Sequence, residues 1–496
     1  MLQVPRSHFP ESLSFDDVLV MPGYSEVLPH QVNLKTRFSA SIDMHSPLVS
    51  AAMDTVTESA TAIALAQCGG MGVIHKNLSI EDQASEVEKV KRSESGMIAH
   101  PVVIAPDVTI RQVKEIMLLH NISGLPVIDN KKLVGIVTGR DIAFASELDQ
   151  PVTEVMTKKV VTAPVGTSYQ EAVKILYRHR IEKLPVVTKD DKGLVGMFTI
   201  KDIEKAQKYP HSSRDSQGRL RVAGAVGVGD SEMKRVEALL AAGCDAIVVD
   251  TAHGHSKTVM DQCRRIRKDF KKMAFDLVGG NIATSDGALS LVEAGVDAVK
   301  VGMGPGSICT TRIVTGIGVA QLTAIMDAAK VCQAKGVPVI ADGGIKFSGD
   351  ALKALAGGAS TVMVGSLFAG TEEAPGEMVL YKGKSYKTYR GMGSLGAMAK
   401  GSRDRYFQGN VSSIHKFVPE GIEGRVAYKG PIENSIYQIM GGIRSGIGYV
   451  GAKDIDDLQK KAKFMRISPG GLKESHPHGV YITREAPNYY SESPST

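Results

Sequence analysis

The sequence predicts an α/β protein whose main domain is a (β/α)8 TIM barrel with a second, smaller module inserted into it. Two observations support this prediction: eight short apolar segments alternate with amphipathic stretches, and a segment of about sixty residues occurs twice in tandem. At 496 residues the chain is long enough for two or three domains. An apolar content of 43% is sufficient for packed cores.

The eight apolar segments are the candidate barrel strands. Near-continuous apolar runs are typical of strands that are buried on both faces, as in a parallel sheet. The stretches between them, such as 231–243 and 286–295, have apolar residues at helical spacing and predict the crossover helices. Eight such units close a barrel, and an open, doubly wound sheet is the alternative. The segments are 47–54, 70–75, 221–227, 246–254, 276–282, 298–304, 339–345 and 361–367.

The tandem repeat follows the second predicted helix. Pro126 matches Pro185 at an offset of 59 residues, and Asp141 matches Asp202 at an offset of 61. Each copy is predicted to form a strand, a helix, two strands and a helix. The predicted domains are residues 1–94 for the first part of the barrel, 95–153 and 154–212 for the two repeats, and 213–496 for the rest of the barrel, including a flap at about 390–430.

Composition excludes several classes of protein. The net charge of +6 is modest, and the sequence has no basic tail. Nucleic acid is therefore not the expected partner. The sequence has neither an apolar signal core nor a run of 18 apolar residues, so we expect a cytoplasmic protein without a membrane partner. The cysteines are odd in number and form no CxxC pair, which argues against a disulfide framework or structural zinc. They are Cys68, Cys244, Cys263, Cys309 and Cys332.

The end of the sixth predicted strand, VGMGPGSICTTR, contains the candidate nucleophile. Its glycines allow positive φ angles and close approach of the main chain to a ligand, and main-chain oxygens freed there could line a cation site. Ser307 supplies a hydroxyl for an anion. Cys309 lies where barrel enzymes keep their active sites and is a candidate thiolate nucleophile. The other four cysteines lie in helical or core-like stretches and are interpreted as core residues.

The ends of the seventh and eighth strands predict an anion site. Gly343 and Gly344 follow Asp342, and Gly365 precedes Ser366. Loops after these two strands are the usual phosphate site of a barrel, because their N–H groups converge on the anion. Asp342 would repel a phosphate and is better suited to sugar hydroxyls. The alternative is that the glycines only turn the chain.

The end of the fourth strand predicts a second ligand. Asp250 could bind a second ribose, as acidic residues at strand ends do in dinucleotide sites. No GxGxxG follows a strand and opens a helix in the Rossmann manner, so a nicotinamide cofactor would lie in the mouth of the barrel. Residues 375–450 form a long, basic, glycine-rich excursion after the eighth strand, which is interpreted as a functional or disordered loop on the catalytic face.

Six motifs resemble the bacterial type of the inosine 5′-monophosphate (IMP) dehydrogenase family, and the resemblance covers essentially the full chain. They are SAAMDTVTE (50–58), GSICTTR (306–312), ADGGI (341–345), YRGMGS (389–394), RYF (405–407) and EGRV (423–426). Ala427 stands where the family often has proline. The inserted repeat resembles a tandem cystathionine-β-synthase-type (CBS, or Bateman) pair.

The resemblance implies an NAD-dependent oxidoreductase of guanine nucleotide (GMP) biosynthesis that oxidises IMP to XMP. Cys309 would add to C2 of the purine, hydride would leave for NAD⁺, and the thioimidate would be hydrolysed with help from Thr311. Arg405 and Tyr406 on the mobile flap would replace NADH, and either could relay the proton from water. IMP would contact Ser307, Asp342, Gly343, Gly344, Gly365, Ser366, Tyr389, Arg390, Gly391, Met392, Gly393 and Glu420. NAD would contact Asp250, Asn281, Gly302, Met303 and Gly304.

The resemblance also implies a potassium ion and an oligomer. The metal ligands would be Gly304, Gly306 and Cys309 through main-chain oxygens, with Glu474, Ser475 and His476 from a neighbouring subunit. The family is tetrameric, and the sequence leaves an octamer open. In the CBS-like insert, Thr138 and Asp141, like Thr199 and Asp202, have the spacing of a helix cap. Binding of adenine or guanine nucleotides at these aspartates is the functional alternative, and both can hold.

Two rival functions remain at this stage. The first is GMP reductase, a member of the same barrel family that shares the Cys-Thr-Thr context but needs no flap to activate water. The second is a nucleotide-sensing protein built on an inactive barrel. The excursion with Arg405 and Tyr406 favours the dehydrogenase over GMP reductase. The complete set of Cys309, Thr311, Arg405 and Tyr406 argues against an inactive barrel.

Overall fold

The computed structural model describes residues 9–93, 98, 101–120, 122–143, 145, 147–190, 193–200, 208–411 and 413–489. These residues fall into two compact units. The first comprises the described residues up to Lys91, His211–Ser213 and those from Leu220 onward, and the second comprises the described residues of Arg92–Pro210 and Arg214–Arg219.

The first unit contains a closed barrel of eight parallel strands, as the sequence predicts. The eight strands pair in chain order, and the eighth pairs with the first to close the barrel. The open-sheet alternative is therefore excluded. The strands are β1 (Leu48–Ser50), β2 (Met71–Ile74), β3 (Val222–Val226), β4 (Ala246–Asp250), β5 (Asp276–Ile282), β6 (Ala298–Val301), β7 (Val339–Asp342) and β8 (Thr361–Val364).

A helix follows each strand and shields the outer face of the barrel. The last helix packs against the first and the seventh and so completes the ring. The helices are α1 (Ser59–Gln67), α2 (Ile80–Ser93), α3 (Asp230–Ala241), α4 (Lys257–Asp269), α5 (Ser285–Glu293), α6 (Gln321–Ala334), α7 (Ser348–Ala356) and α8 (Ile432–Val450).

Alternate strand residues serve two separate cores. In β4, Ile247 and Val249 belong to the core between barrel and helices, whereas Val248 belongs to the core inside the barrel. A short hairpin, Thr36–Arg37 with Asp43–Met44, contributes Phe38 to the inner core. Ser39, beside it, donates to Asp276 at the start of β5 over 2.5 Å. The hairpin therefore covers the N-terminal end of the barrel and leaves the carboxyl end for a site.

The excursion after β8 is folded, contrary to the interpretation of residues 375–450 as a loop. It contains a three-stranded antiparallel sheet, a helix at Leu395–Lys400, short 3-10 turns at Ser402–Tyr406 and Ile414–Lys416, and then α8. The sheet strands are Met378–Tyr381, Lys384–Arg390 and Glu423–Ala427. The central strand places the segment from Tyr389 onward at the mouth of the barrel, so this excursion builds one wall of the site.

The second unit contains two helix-and-hairpin elements. The first consists of the helix Ile110–Leu119 and the strands Gly124–Asp129 and Lys132–Thr138, followed by the short helix Gly139–Ala143. The second consists of the strand Ala163–Pro164, the helix Tyr169–His179 and the strands Lys183–Val187 and Leu194–Thr199. The part of the first copy that was expected to be a leading strand forms only a bridge between Ile104 and Val127. Asp202 lies outside the described residues.

Within the described ranges, no helix is both long and apolar enough to cross a membrane.

Candidate active site

A cavity of about 340 Å³ lies at the carboxyl ends of the barrel strands. Most of the residues that the sequence singles out meet around it. Those in its lining are Asp250, Asn281, Gly302, Met303, Gly304, Gly306, Ser307, Cys309, Thr311, Asp342, Gly343, Gly344, Gly365, Ser366, Tyr389, Gly391, Met392, Arg405, Tyr406 and Glu420. Residues that are far apart in the sequence therefore form one site, as expected for a barrel.

Cys309 lies in a loop that two separate segments hold in place. The main-chain N–H of Thr310 donates to the oxygen of Glu420 over 2.9 Å, and Ile422 donates to Ile308 over 3.0 Å. These bonds pair the loop after β6 with the end of the flap. Cys309 is partly exposed, and its thiol donates to the hydroxyl of Thr311 over 3.2 Å. The sulfur can therefore reach a ligand while its loop stays fixed.

Three other cysteines are core residues, in agreement with the interpretation of the sequence. Cys244, Cys263 and Cys332 are buried. Desolvation by burial raises the pKa of each of these thiols to about 12, which disfavours the reactive thiolate. Cys68 is half-buried and packs against the core between barrel and helices.

The loops after β7 and β8, which the sequence predicts to bind an anion, lie side by side in the lining of the cavity. Gly343 and Gly344 have φ angles of 92° and 80°. The phenol of Tyr389 approaches Gly365, where an added Cβ atom would lie 3.1 Å from its oxygen. Burial raises the pKa of Tyr389 to about 12, and Ser307 is its hydrogen-bond partner. The phenol is therefore a neutral hydrogen-bond donor at physiological pH.

Lys300 is the principal residue of the site that the sequence analysis missed. It is 1% exposed and lies on the same face of β6 as Ala298, which belongs to the inner core. Its ammonium donates to Asp250 Oδ1 over 2.8 Å and to Asp342 Oδ2 over 2.9 Å, and it also contacts Asn281 Oδ1. A lysine inside an otherwise apolar strand was the available signal, because such a charge needs buried partners.

The flap brings Arg405 and Tyr406 to the cavity. The guanidinium of Arg405 forms an ion pair with Asp250, and the N–H of Ala252 donates to the main-chain oxygen of Arg405 over 3.1 Å. Tyr406 packs against Gly393, where an added Cβ atom would lie 2.7 Å from the ring. Burial raises the pKa of Tyr406, so its phenol is protonated at neutral pH.

Arg390 and Gly393 are not part of the described cavity lining. The Arg390 side chain turns to Asp54, to which its Nε donates over 3.1 Å and 3.2 Å. This pairing raises the pKa of Arg390 and fixes the strand end that carries Tyr389. Gly393 leaves room for the Tyr406 ring. In this conformation both residues support the wall of the cavity.

The residues assigned to potassium form two groups. Gly304 and Gly306 line the cavity with Cys309, and the oxygen of Gly306 accepts from the Cys309 N–H over 3.1 Å. Glu474, Ser475 and His476 lie at the end of the helix Pro469–Glu474, where the His476 ring contacts Tyr489 and Phe347. Within the described parts of the chain, no cluster of three His, Cys, Asp or Glu side chains could hold a metal.

Comparisons with a family profile and with known proteins agree on the family to which this chain is similar. The profile of the IMP dehydrogenase / GMP reductase domain family matches residues 12–478. An inosine-5′-monophosphate dehydrogenase of Aquifex aeolicus is 57% identical over 485 residues, which cover 97% of this chain and 98% of that protein. One from Streptococcus pyogenes is 56% identical over 481 residues, which cover 96% and 97% of the two chains.

A solved structure is also similar over nearly the whole chain. It is a GMP reductase variant from Trypanosoma brucei in complex with guanosine 5′-monophosphate. The TM-score is 0.89 at 39% sequence identity, and the match covers 95% of this chain and 99% of that one. A protein named GMP reductase thus shares this architecture, so the fold alone does not separate the two reactions.

Proposed function

The chain belongs to the IMP dehydrogenase / GMP reductase family, and we propose that it oxidises IMP to xanthosine 5′-monophosphate (XMP) with NAD⁺. The observation that supports this most is the arrangement of Cys309, Thr311, Arg405 and Tyr406 around one cavity. A cysteine nucleophile suits either reaction of the family. A flap that brings an arginine and a tyrosine to that nucleophile suits the reaction that consumes water. The relatives at 56–57% identity are named for that reaction.

We infer that Cys309 starts the reaction on IMP held by the anion loops. The phosphate would bind at Ser307, Gly344, Gly365, Ser366 and Tyr389, the ribose at Asp342, and the base near Met392 and Glu420. The Cys309 sulfur adds to C2 and makes that carbon tetrahedral, which allows its hydride to leave. Asp250, Asn281 and Gly302 would hold NAD⁺, which would supply the acceptor for that hydride.

The second half of the reaction is the hydrolysis of the thioimidate on Cys309. Arg405 and Tyr406 reach the cavity only through the flap, and Arg405 already pairs with Asp250. The flap residues therefore occupy the NAD side of the site during this step. Water adds to C2, its proton leaves through Thr311, Tyr406 or Arg405, and the thiol departs. The balance is IMP, NAD⁺ and water to XMP, NADH and a proton.

A potassium ion fits the loop after β6. Gly304 has a φ angle of 77°, which turns the chain where main-chain oxygens of Gly304, Gly306 and Cys309 would hold the cation. Carbonyl oxygens are the ligands that potassium prefers in proteins. The ion would brace the loop that carries the nucleophile. Ligands from Glu474, Ser475 and His476 of a second copy would make the homotetramer, or an octamer built from it, part of the site.

The second unit is proposed to bind adenine or guanine nucleotides and to regulate the barrel. Asp141 Oδ2 accepts from the Thr138 main-chain N–H and from its hydroxyl, both over 2.7 Å. The helix-cap interpretation thus accounts for one oxygen of Asp141. The other oxygen can accept a ribose hydroxyl. The small, charged substrates of the reaction are consistent with a cytoplasmic location.

The decisive experiment detects the covalent intermediate. Intact-mass and peptide analysis after mixing the enzyme with IMP, NAD⁺ and K⁺ should show a purine nucleotide adduct on the Cys309 peptide. Absorbance at the NADH band should rise in the same mixture. A signal only with GMP and NADPH would identify a GMP reductase instead, and an absence of both signals would indicate a nucleotide-sensing barrel.

The matched control is Cys309→Ala. This variant should lose turnover and the adduct but still bind IMP, because the anion loops and Asp342 are unchanged. Retained turnover in this variant would contradict the covalent mechanism.

A further inference from the structure

Lys300 lies at the centre of an ion-pair network in the mouth of the barrel. Its ammonium contacts two carboxylates and one amide, which belong to three different strands. Asp250 ends β4, Asn281 lies in β5, and Asp342 ends β7. The side chain of Lys300 is 2% exposed, so these partners replace the water that a free ammonium would have.

The two carboxylates have different duties in the proposed reaction. Asp342 belongs to the IMP side of the cavity, and Asp250 belongs to the NAD and flap side. Asn281 reinforces the connection, because its Nδ2 donates to Asp342 Oδ2 and to the Gly302 oxygen, both over 2.8 Å. The ammonium of Lys300 therefore contacts both Asp342 on the IMP side and Asp250 on the NAD and flap side.

We propose that Lys300 is a positioning residue that couples the IMP side of the site to the NAD and flap side. The proposal rests on the proposed function. Lys300 holds Asp250 and Asp342 in place, so that Asp342 Oδ1 is left to face a ligand and Asp250 Oδ2 is left to face the flap, where it pairs with Arg405. A change at one carboxylate alters how strongly Lys300 holds the other, because both draw on the same ammonium.

The charges around Lys300 explain why a neutral residue at this position could not hold both carboxylates. Asp250 also pairs with Arg405, so the described network holds two cations and two carboxylates. Without Lys300, Asp342 would lose its cation while Asp250 kept Arg405. The Asp342 side chain is 19% exposed, and a carboxylate so largely removed from water adopts other contacts when it loses its cation. Loss of Lys300 should therefore weaken the IMP side even when the flap remains in place.

The first test uses Lys300→Met and Lys300→Arg with two separate readouts. In Lys300→Met, we expect the Kd for IMP, measured without NAD⁺, to rise at least about tenfold, and the KM for NAD⁺ to rise as well. Lys300→Arg keeps the cation and should recover a large part of both losses. A folded Lys300→Met protein with both constants within about twofold of wild type would overturn the proposal.

The matched control is Lys91→Met. Lys91 is also buried and pairs with an aspartate, Asp245, over 2.6 Å, but Asp245 precedes β4 at the opposite end of the barrel. Its loss should lower the melting temperature without changing the ratio of the two constants. If Lys91→Met changed the IMP and NAD⁺ constants as Lys300→Met does, the effect would be one of general stability and the coupling would be refuted.

A second test leaves Lys300 in place in case its removal prevents folding. Asp250→Asn removes the carboxylate that pairs with both Lys300 and Arg405, and we expect it to change the Kd for IMP at least about threefold because Lys300 then holds Asp342 differently. An unchanged Kd for IMP would refute the coupling. Failure of the proposed function would give a different result from failure of the coupling, because the wild-type protein would then produce no NADH from IMP.

Discussion

The Cys309 thiol donates to the Thr311 hydroxyl over 3.2 Å, within a loop that the end of the flap holds from the other side. This hydroxyl is a direct hydrogen-bond partner of the sulfur. The contact is consistent with the proposed role of Thr311 in the hydrolytic half of the cycle, which the first prediction tests.

The first prediction concerns Thr311→Val, which keeps the shape of the side chain and removes the hydroxyl. We expect a normal rapid burst of NADH and a steady-state kcat that is lower by at least about tenfold, because proton transfer to or from water is lost. Stopped-flow absorbance measures both phases. Thr310→Val is the control, since Thr310 is not in the described cavity lining. A loss of the burst itself would assign Thr311 to the first half of the reaction.

The second prediction concerns the ion pair between Lys76 and Asp404, which anchors the residue before Arg405. The Lys76 side chain is 7% exposed, so the pair is largely shielded from solvent. Lys76→Met should loosen the flap, lower the steady-state kcat about tenfold and leave the NADH burst within about twofold of wild type. Asp404→Asn should lower kcat by a similar factor. The double variant should lower kcat little further than either single variant, because both remove the same ion pair.

Lys257→Met is the control for this second prediction. Lys257 pairs with Asp261 on the surface, where its side chain is 89% exposed. Its loss should leave both kinetic phases unchanged. Equal effects of the Lys76 and Lys257 variants would contradict the anchoring role of Lys76.

The third prediction concerns alkaline pH and the buried thiol of Cys263. Burial raises its pKa from 9.0 to about 12. A group whose folded pKa is raised contributes stability that is present below about pH 9 and is lost as pH rises towards about 12. Unfolding free energy measured with urea should therefore fall over this range, with up to about 1.4 kcal/mol per pH unit from this thiol.

Cys263→Ala should make that alkaline slope shallower, although it also creates a small cavity. Val259→Ala on the same helix is the control, because Val259 is equally buried but cannot ionise. It should lower stability by a similar amount at every pH. An unchanged slope in Cys263→Ala would mean that this thiol does not titrate in the range.

The barrel could be predicted from the sequence because the strands are short apolar runs that alternate with amphipathic stretches. The positions at which the strands end were predicted less accurately. For example, the first predicted run covers 47–54 whereas β1 covers only Leu48–Ser50. Apolar residues continue into the loops at the mouth of the barrel, where Ala51, Ala52 and Met53 line the cavity. Hydrophobicity alone therefore does not show where the hydrogen bonding between neighbouring strands ends.

Lys387 explains why the folded part of the excursion was not predicted. It lies in the strand Lys384–Arg390, which has three basic residues and belongs to the basic, glycine-rich segment that was interpreted as a functional or disordered loop. In the structure Lys387 is 5% exposed, and its ammonium donates to the oxygens of Thr371 and Glu372 over 3.1 Å and also to that of Ala374. A lysine that carbonyl oxygens surround occupies an inward position without breaking the strand.

The partners of Lys300 could not be predicted for a different reason. The lysine stands out in the run AVKV, but Asp250, Asn281 and Asp342 are 19 to 50 residues away in the sequence. Only the closure of the barrel brings the three strand ends together. The same holds for Arg390 and Asp54, which lie 336 residues apart. Sequence motifs identify the residue types of the site, and the fold determines their pairing.

The last prediction concerns deletion of residues 95–210. The two hydrophobic cores of the barrel unit are built from residues outside this range, and the buried residues from Ile104 to Val152 and from Ala163 to Phe198 form clusters of their own. The helix α2 ends at Ser93, and the chain re-enters the first unit at His211. We therefore expect the shortened protein to fold and to keep turnover within about threefold of wild type, because the cavity residues are all retained.

The same deletion should remove any response of the rate to ATP or GTP, since the proposed nucleotide site at Asp141 is lost. Asp141→Ala in the full-length chain is the matched variant. It should abolish the response while leaving the basal rate unchanged. The measurement is the initial rate of NADH formation with and without each nucleotide. A folded deletion protein without turnover would show that the barrel needs the insert, whereas a retained response would place the regulatory site elsewhere on the barrel.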